Sequence, residues 1–118
     1  MIHVMEDEWA IHSQPLIIDC SKLYAFAKMK KLEPLEIPID MIAHKELHSI
    51  SNDSIRYLRA DINLPGIVVK DMKNPFMKKY RMIDGRHRLK KYFEYGMHHF
   101  TAYVISSEDA MKFVITNF

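Results

Sequence analysis

The stretch YRMIDGRHRLKKYFEYGMHHFTAYVIS, residues 80–106, decides how this chain is read. KYRMI (79–83) has the composition and alternation of a strand. Asp84-Gly85 is a turn signal. Beyond it Leu89, Tyr92 and Phe93 keep the i, i+3, i+4 spacing of one helix face, and Gly96 stands where a helix C′ glycine belongs. FTAYVI (100–105) is again a strand. The segment 79–96 is therefore a strand–turn–helix, and its junction carries three basic residues, Arg86, His87 and Arg88.

That placement runs against the helix dipole, which disfavours cations in the first turn. A bound anion relieves the conflict. The first helical amides have no partner within the helix and point outward, so the junction suits a phosphate group. Gly85 has no side chain to block a close approach. Arg86 and Arg88 can fork onto phosphate oxygens. His87 can donate a hydrogen bond or move a proton near neutral pH. Asp84 can cap the helix, hold an arginine, or carry a metal that bridges to phosphates. The competing reading is an ordinary strand–turn–helix with exposed arginines.

Outward from the junction, GIVVK (66–70) is a β-branched strand and DMKNPFMK holds an Asn-Pro turn. PLIID (15–19) reads as a strand. Ser21 is placed to cap a following helix, with Leu23, Phe26, Ala27 and Lys30 in helical spacing and Pro34 ending the segment. LEIPI (35–39) alternates as a strand, and Pro38 puts it at a sheet edge or at its own end. Asp40 is placed to cap a short helix through Leu47. A further helix is expected from Asn52 or Asp53, with Ile55, Leu58 and Ile62 on one face. Ser107, Glu108 and Asp109 open a final helix. The class is α+β, a small mixed sheet packed with helices, in one domain over 1–118 whose residues 1–30 the pattern assigns least.

At 118 residues with 48% hydrophobic content, the chain has the composition of a globular domain with a core. No apolar run approaches the roughly 20 residues that span a bilayer, and the start, MIHVMEDEWA, does not read as a signal peptide. The single Cys20 is expected as a buried apolar residue in a reducing, cytoplasmic setting. Net charge is only +2, but residues 66–96 hold nine Lys/Arg against three Asp/Glu (+6), while the rest holds eight against twelve (−4). Such polarity suggests an anionic partner on one face; a solvated lysine-rich surface is the plainer reading of Lys73, Lys78, Lys79, Lys90 and Lys91.

The pattern IVVKD…YRMIDGRHRLKKYFEYGM…FTAYVIS resembles the ParB N-terminal/sulfiredoxin-like superfamily, in which a hairpin strand runs into an I-D-G-x-x-R helix start. The likeness covers about 64–106 and extends back toward Leu35. It implies a compact α+β fold with a nucleotide (ATP or CTP), and with it Mg²⁺, at the helix N-terminus. The phosphate-binding group would be Gly85, Arg86, His87 and Arg88, with Asp84 at the strand end. Sulfiredoxins carry G-C-H-R; Arg86 stands at the cysteine position here, so sulfinic acid reduction is not expected. Partition proteins carry G-E-R-R and a helix-turn-helix domain, and the sequence stops at Phe118 before one. Free-serine kinases of the superfamily carry a D-G-H-H-R type motif, close to residues 84–88, and need a separate carboxylate as base; Glu6, Asp7, Glu8, Glu33 and Glu36 are candidates. Short stand-alone domains of this kind, found in phages and mobile elements, are often called ParB-like nucleases.

The expected function is thus nucleotide or phosphoester binding, with phosphoryl transfer or phosphodiester hydrolysis as the chemistry and His87 and Asp84 as the catalytic candidates. The alternatives are a non-enzymatic nucleic-acid-binding module, in which Tyr80, Tyr92, Phe93 and Tyr95 could stack on bases, and a degenerate interaction domain. Tyr92 and Phe93 also fit a core role. His44 and His48 would share a helix face and could bind zinc, but no third ligand is evident and a surface helix is the plainer reading. His98 and His99 belong to a loop. Trp9 is a candidate core or oligomer contact, and no membrane partner is expected.

Overall fold

A computed structural model describes residues 2–5 and 16–115. Two strands, β1 (Ile2–Met5) and β2 (Leu16–Asp19), pair antiparallel. Helix α1 (Cys20–Met29) follows directly, then β3 (Leu35–Pro38), a 3₁₀ turn (Ile39–Met41), β4 (Ile42–Ala43) and the short helix α2 (Ile55–Arg59). The chain ends with β5 (Gly66–Lys70), β6 (Tyr80–Asp84), α3 (Arg86–Glu94), β7 (His99–Ser106) and α4 (Ser107–Met111). Five strands form one mixed, curled sheet in the order β3-β7-β5-β6-β4, with β5 and β6 antiparallel and β5 and β7 parallel. The α+β class expected from the sequence is the class observed. Among the described residues no helix is long and apolar enough to cross a membrane.

The sheet is buried on both faces, which is why β5 reads as an unbroken apolar run rather than an alternation. Ile67 and Val69 pack with Leu16, Ile18, Leu23, Ile83, Ile105 and Ala110, the side covered by α1 and α4. Val68 and Met82 pack with Leu89, Tyr92, Phe100 and Ala102, the side covered by α3. Cys20 lies in the first cluster, and burial pushes its thiol up to about 12, in keeping with an inert apolar role.

Most expected elements appear within a residue or two, and several differences have physical causes. Helix α1 starts at Cys20, capped by the Asp19 carboxylate on the Lys22 amide rather than by Ser21. It ends at Met29, ahead of Pro34, with Lys31 at φ 54° reversing the chain. No helix spans 40–47. Asp40 sits in the 3₁₀ turn, and Ile42 and Ala43 pair with Tyr80 and Arg81, because pairing with β6 satisfies backbone groups and buries both side chains. Helix α2 is capped by Ser54 and stops at Arg59, so Ile62 lies beyond it; Ile55 and Leu58 are exposed. Phe93 is exposed as well, whereas Tyr92 is buried and its hydroxyl donates to the Ile62 carbonyl at 3.1 Å. Pro38 closes β3, an edge strand. Pro15, Trp9, Glu6, Asp7 and Glu8 lie outside the described residues.

Both boundaries of α3 are glycines with positive φ. Gly96 (φ 71°) terminates the helix in a Schellman motif, with its amide on the Phe93 carbonyl and the Met97 amide on the Tyr92 carbonyl. Gly85 (φ 118°) starts it, and a Cβ there would stand 2.8 Å from Cζ of Phe100. A Cβ at Gly96 would meet nothing within 4 Å. Gly96→Ala is therefore expected to cost about 1 kcal/mol from backbone strain alone, and Gly85→Ala about 2–3 kcal/mol or more, because strain and collision add. Urea unfolding of the two variants measures the difference; equal losses would contradict the role given to Phe100.

Candidate functional site

The sequence places a turn at 84–88, and the fold places a cleft over it. Ile67 stands opposite Asp84 and Val68 opposite Met82, so Ile83 is an extra residue on β6. A bulge of this kind bends a strand and redirects its end. Gly85 then carries the chain into α3. Helices α1, α2 and α4 each have a side-chain cap, from Asp19, Ser54 and Ser106. Helix α3 has none, and no acidic residue in its first turn. Its first amides are left pointing outward with the positive end of the dipole.

They open into a cleft of about 570 Å³ lined by Asp84, Gly85, Arg86, His87 and Arg88. The opposite wall brings Arg56 and Arg59 from α2, His44 and Lys45 from the segment after β4, and His3 from β1. Among the described residues, five permanent cations and three imidazoles thus share the cleft with one carboxylate, Asp84. All four residues of the expected phosphate-binding group line it, with Asp84 beside them. His3, His44, Lys45, Arg56 and Arg59 carry no local signal that would single them out as anion-site residues. The Arg56/Arg59 pair at i, i+3 is visible in SIRYLR, but nothing local says which way it faces.

Two members of the turn have a structural task as well. The Tyr24 hydroxyl donates to Oδ2 of Asp84 at 2.5 Å. Nη1 of Arg88 donates to the Pro65 carbonyl at 2.9 Å and to the Tyr24 oxygen at 3.2 Å. Burial, then the neighbouring Asp84 charge, raises the Tyr24 pKa, so the phenol stays protonated and keeps donating. This network binds the turn to α1 and leaves Arg86 as the arginine of the pair without such a tie among the hydrogen bonds described.

Two of the histidines, His87 and His3, are shifted toward the neutral form. Burial, then Arg56 and Arg86, lowers the His87 pKa, with Asp84 opposing. Burial, then Lys45 and Arg81, lowers His3 from 6.5 to about 4. The lowered pKa favours the neutral imidazole, which can accept a proton. An anion in the cleft would favour its protonated form.

Other candidates lie elsewhere. His44 and His48 share no helix; His48 is exposed beside Glu46 at 3.1 Å. Glu36 is on β3, three strand steps from β6, or roughly 14 Å, and neither it nor Glu33 lines the cleft. Among the described residues no three His, Cys, Asp or Glu side chains converge as a metal cage. Asp84 is the one carboxylate that the described residues bring to the cleft wall, and a Mg²⁺ ion commonly takes one or two carboxylates together with the ligand's phosphates. A second groove of about 800 Å³ at the other end of α3 is lined by Phe76, Phe93, Met97, His98 and His99. Its lysine, Lys78, donates to the Asp40 carbonyl at 2.6 Å.

The basic segment is less available than its charge suggests. Lys90 donates to the Ile50 carbonyl and to Asn52, Lys91 to the Ala60 carbonyl at 2.8 Å, and Arg81 is fully buried with Nη1 on the Lys73 carbonyl at 2.9 Å. These cations staple the fold. No family model, curated protein or solved structure matches the chain.

Two outcomes follow from this geometry. Tyr24→Phe removes the donor to Asp84 and an acceptor of Arg88, and a loss of about 1–2 kcal/mol in urea unfolding is expected; no loss would show that the network does not hold the turn. Unfolded His3 takes a proton near pH 6.5 and folded His3 only near pH 4. Its contribution to stability is therefore complete above pH 6.5 and lost as pH falls toward 4. His3→Gln is expected to flatten the decline in Tm between pH 7 and pH 4.5, and an unchanged decline would count against a buried neutral His3.

Proposed function

We propose that this chain is a ParB/sulfiredoxin-like domain that binds a nucleotide or another phosphoester in the cleft over residues 84–88. The observation that carries the reading is the uncapped, acid-free start of α3 opening into a cleft where the described residues bring five permanent cations and one carboxylate. Such a site stabilises negative charge with preorganised donors and without reorganisation. Arg86 is the principal phosphate ligand, with the first amides of α3 beside it. Gly85 gives those amides their exposure. Asp84 and Arg88 hold the turn in place through Tyr24, and Arg88 also adds charge to the wall.

The chemistry this arrangement supports is phosphoryl transfer or phosphodiester hydrolysis, where positioning and charge neutralisation supply most of the catalysis. His87, shifted toward the neutral form and beside the anion site, is the group that would accept a proton from an attacking hydroxyl or water. A backbone-tracking nucleic-acid module is less well supported, because Lys78, Lys90, Lys91 and Arg81 are already engaged with backbone carbonyls.

Calorimetric titration with ATP, CTP and pyrophosphate, each with and without Mg²⁺, tests the reading. Wild-type protein is expected to bind at least one of them. Arg86→Ala should weaken that binding by about tenfold to a hundredfold, the range for losing charge-assisted hydrogen bonds, while leaving the unfolding midpoint nearly unchanged. Arg88→Ala should lower both, since it also severs the tie to Pro65 and Tyr24. Retained affinity in Arg86→Ala would sink the assignment.

A further inference from the structure

The cleft over the 84–88 turn and the groove at the far end of α3 share a wall. His44 lines both of them. On α3, Arg86 of the cleft and Phe93 of the groove are seven residues apart, nearly two turns, so they lie on one side of the helix. Their separation along the helix axis is about 10 Å. A ligand that starts at Arg86 and follows this side of α3 passes His44 and arrives at Phe93.

The groove differs from the cleft in its chemistry. Ile39 and Ile42 are buried in its wall, while Phe93 and Met97 line it and stay 47% and 41% exposed. The Phe93 ring leans on the His44 ring at 6.0 Å between centroids, tilted by 57°. Nδ1 of His44 donates to the Lys45 carbonyl at 2.8 Å, which fixes the orientation of that imidazole. Among the described residues the lysine and the carboxylate of the groove, Lys78 and Asp40, are one of each sign. At about 800 Å³ the groove has the size of a small-molecule site. A second phosphate finds little there to bind it. A flat heterocycle does, because any base can stack on an aromatic ring through its π-face.

We propose that the groove at the far end of α3 is the base-binding subsite of the cleft, with Phe93 as its stacking platform. The ligand is then a nucleotide, with its phosphates at Arg86 and the first α3 amides and its base against Phe93. The proposal rests on the anion-binding reading of the cleft and adds to it what the rest of the ligand is. Phe93 is the specificity-determining residue, and it stands outside the D-G-x-x-R turn.

The test is calorimetric titration of the full chain with ATP, with CTP and with inorganic tripolyphosphate, at fixed ionic strength and Mg²⁺. Tripolyphosphate has the same phosphate chain and at least as much charge, so a preference for a nucleotide cannot come from charge. At least one nucleotide is expected to bind about tenfold or more tightly than tripolyphosphate, the gain of one base–aromatic stack. Phe93→Ala should bring that nucleotide down to the level of tripolyphosphate and leave tripolyphosphate within about twofold of wild type, since the stack involves the base alone. Phe93→Tyr keeps a ring and should keep the preference. Phe93→Leu keeps bulk without a ring and should lose it, which separates stacking from packing. Tyr95→Ala is the control: it removes an exposed aromatic that lines neither opening, and the preference should survive. Equal wild-type affinities for the three ligands would overturn the proposal and leave the anion site standing. So would a nucleotide preference that survives Phe93→Ala, or one that Tyr95→Ala erodes as far. A wild-type dimer in sedimentation that Phe93→Ala dissociates would assign the groove to a second copy of the chain and overturn the proposal as well. Binding of none of the three would remove the anion site itself, and the proposal with it.

Discussion

The ring of Phe100 sets the geometry on which the cleft depends. It is fully buried and lies under the junction of three elements, against Tyr92 of α3 at 5.1 Å between centroids and beside Gly66 and Gly85. A Cβ at Gly66 would stand 2.6 Å from the Asp84 carbonyl oxygen and 2.7 Å from Phe100. The start of β5, the end of β6 and the start of α3 thus approach as closely as they do because two of them carry glycine where they meet the ring. The close approach aims α3 so that its first amides open to solvent, and the charge of the cleft follows from that direction.

The positive charge of the chain's second half has two different physical uses. Lys78, Lys90 and Lys91 put their ammonium groups on backbone carbonyls of other segments, and each thereby fixes a loop or a short helix that has little apolar surface to bury. Arg86, His87 and Arg88 instead gather with residues from β1, α2 and the segment after β4 around one opening. Charge counted along the sequence merges these two groups. Only the second produces a focused field, because a concave wall with few carboxylates concentrates potential where a dispersed surface does not.

Coupling between protonation and anion occupancy is built into the same arrangement. His3 and His87 are shifted toward the neutral form by burial and by the cations around them. A ligand that brings negative charge reverses the electrostatic part of that balance, so occupied and empty clefts hold different numbers of protons. Tyr24 tempers the effect by binding Asp84, a cleft carboxylate that would otherwise compete with the ligand for the arginines.

The sequence by itself determined the strand–turn–helix over 79–96, both of its glycine boundaries and the α+β class. These are local matters: β-branched runs, a 3.6-residue period and backbone conformations that favour glycine act within a few residues. It also singled out the five residues from Asp84 to Arg88, because three cations in a first turn oppose the dipole of their own helix. The division of labour among them was not legible. Arg88 and Asp84 meet Tyr24 from sixty or more residues away. The 40–47 segment gave up its helical pattern because β6 offered it a ladder. Arg56 and Arg59 became a wall of the cleft only through the ties between α2 and α3. Tertiary structure decided these points, since a side chain's charge is written in the sequence while its direction and its neighbours are set by packing between distant segments.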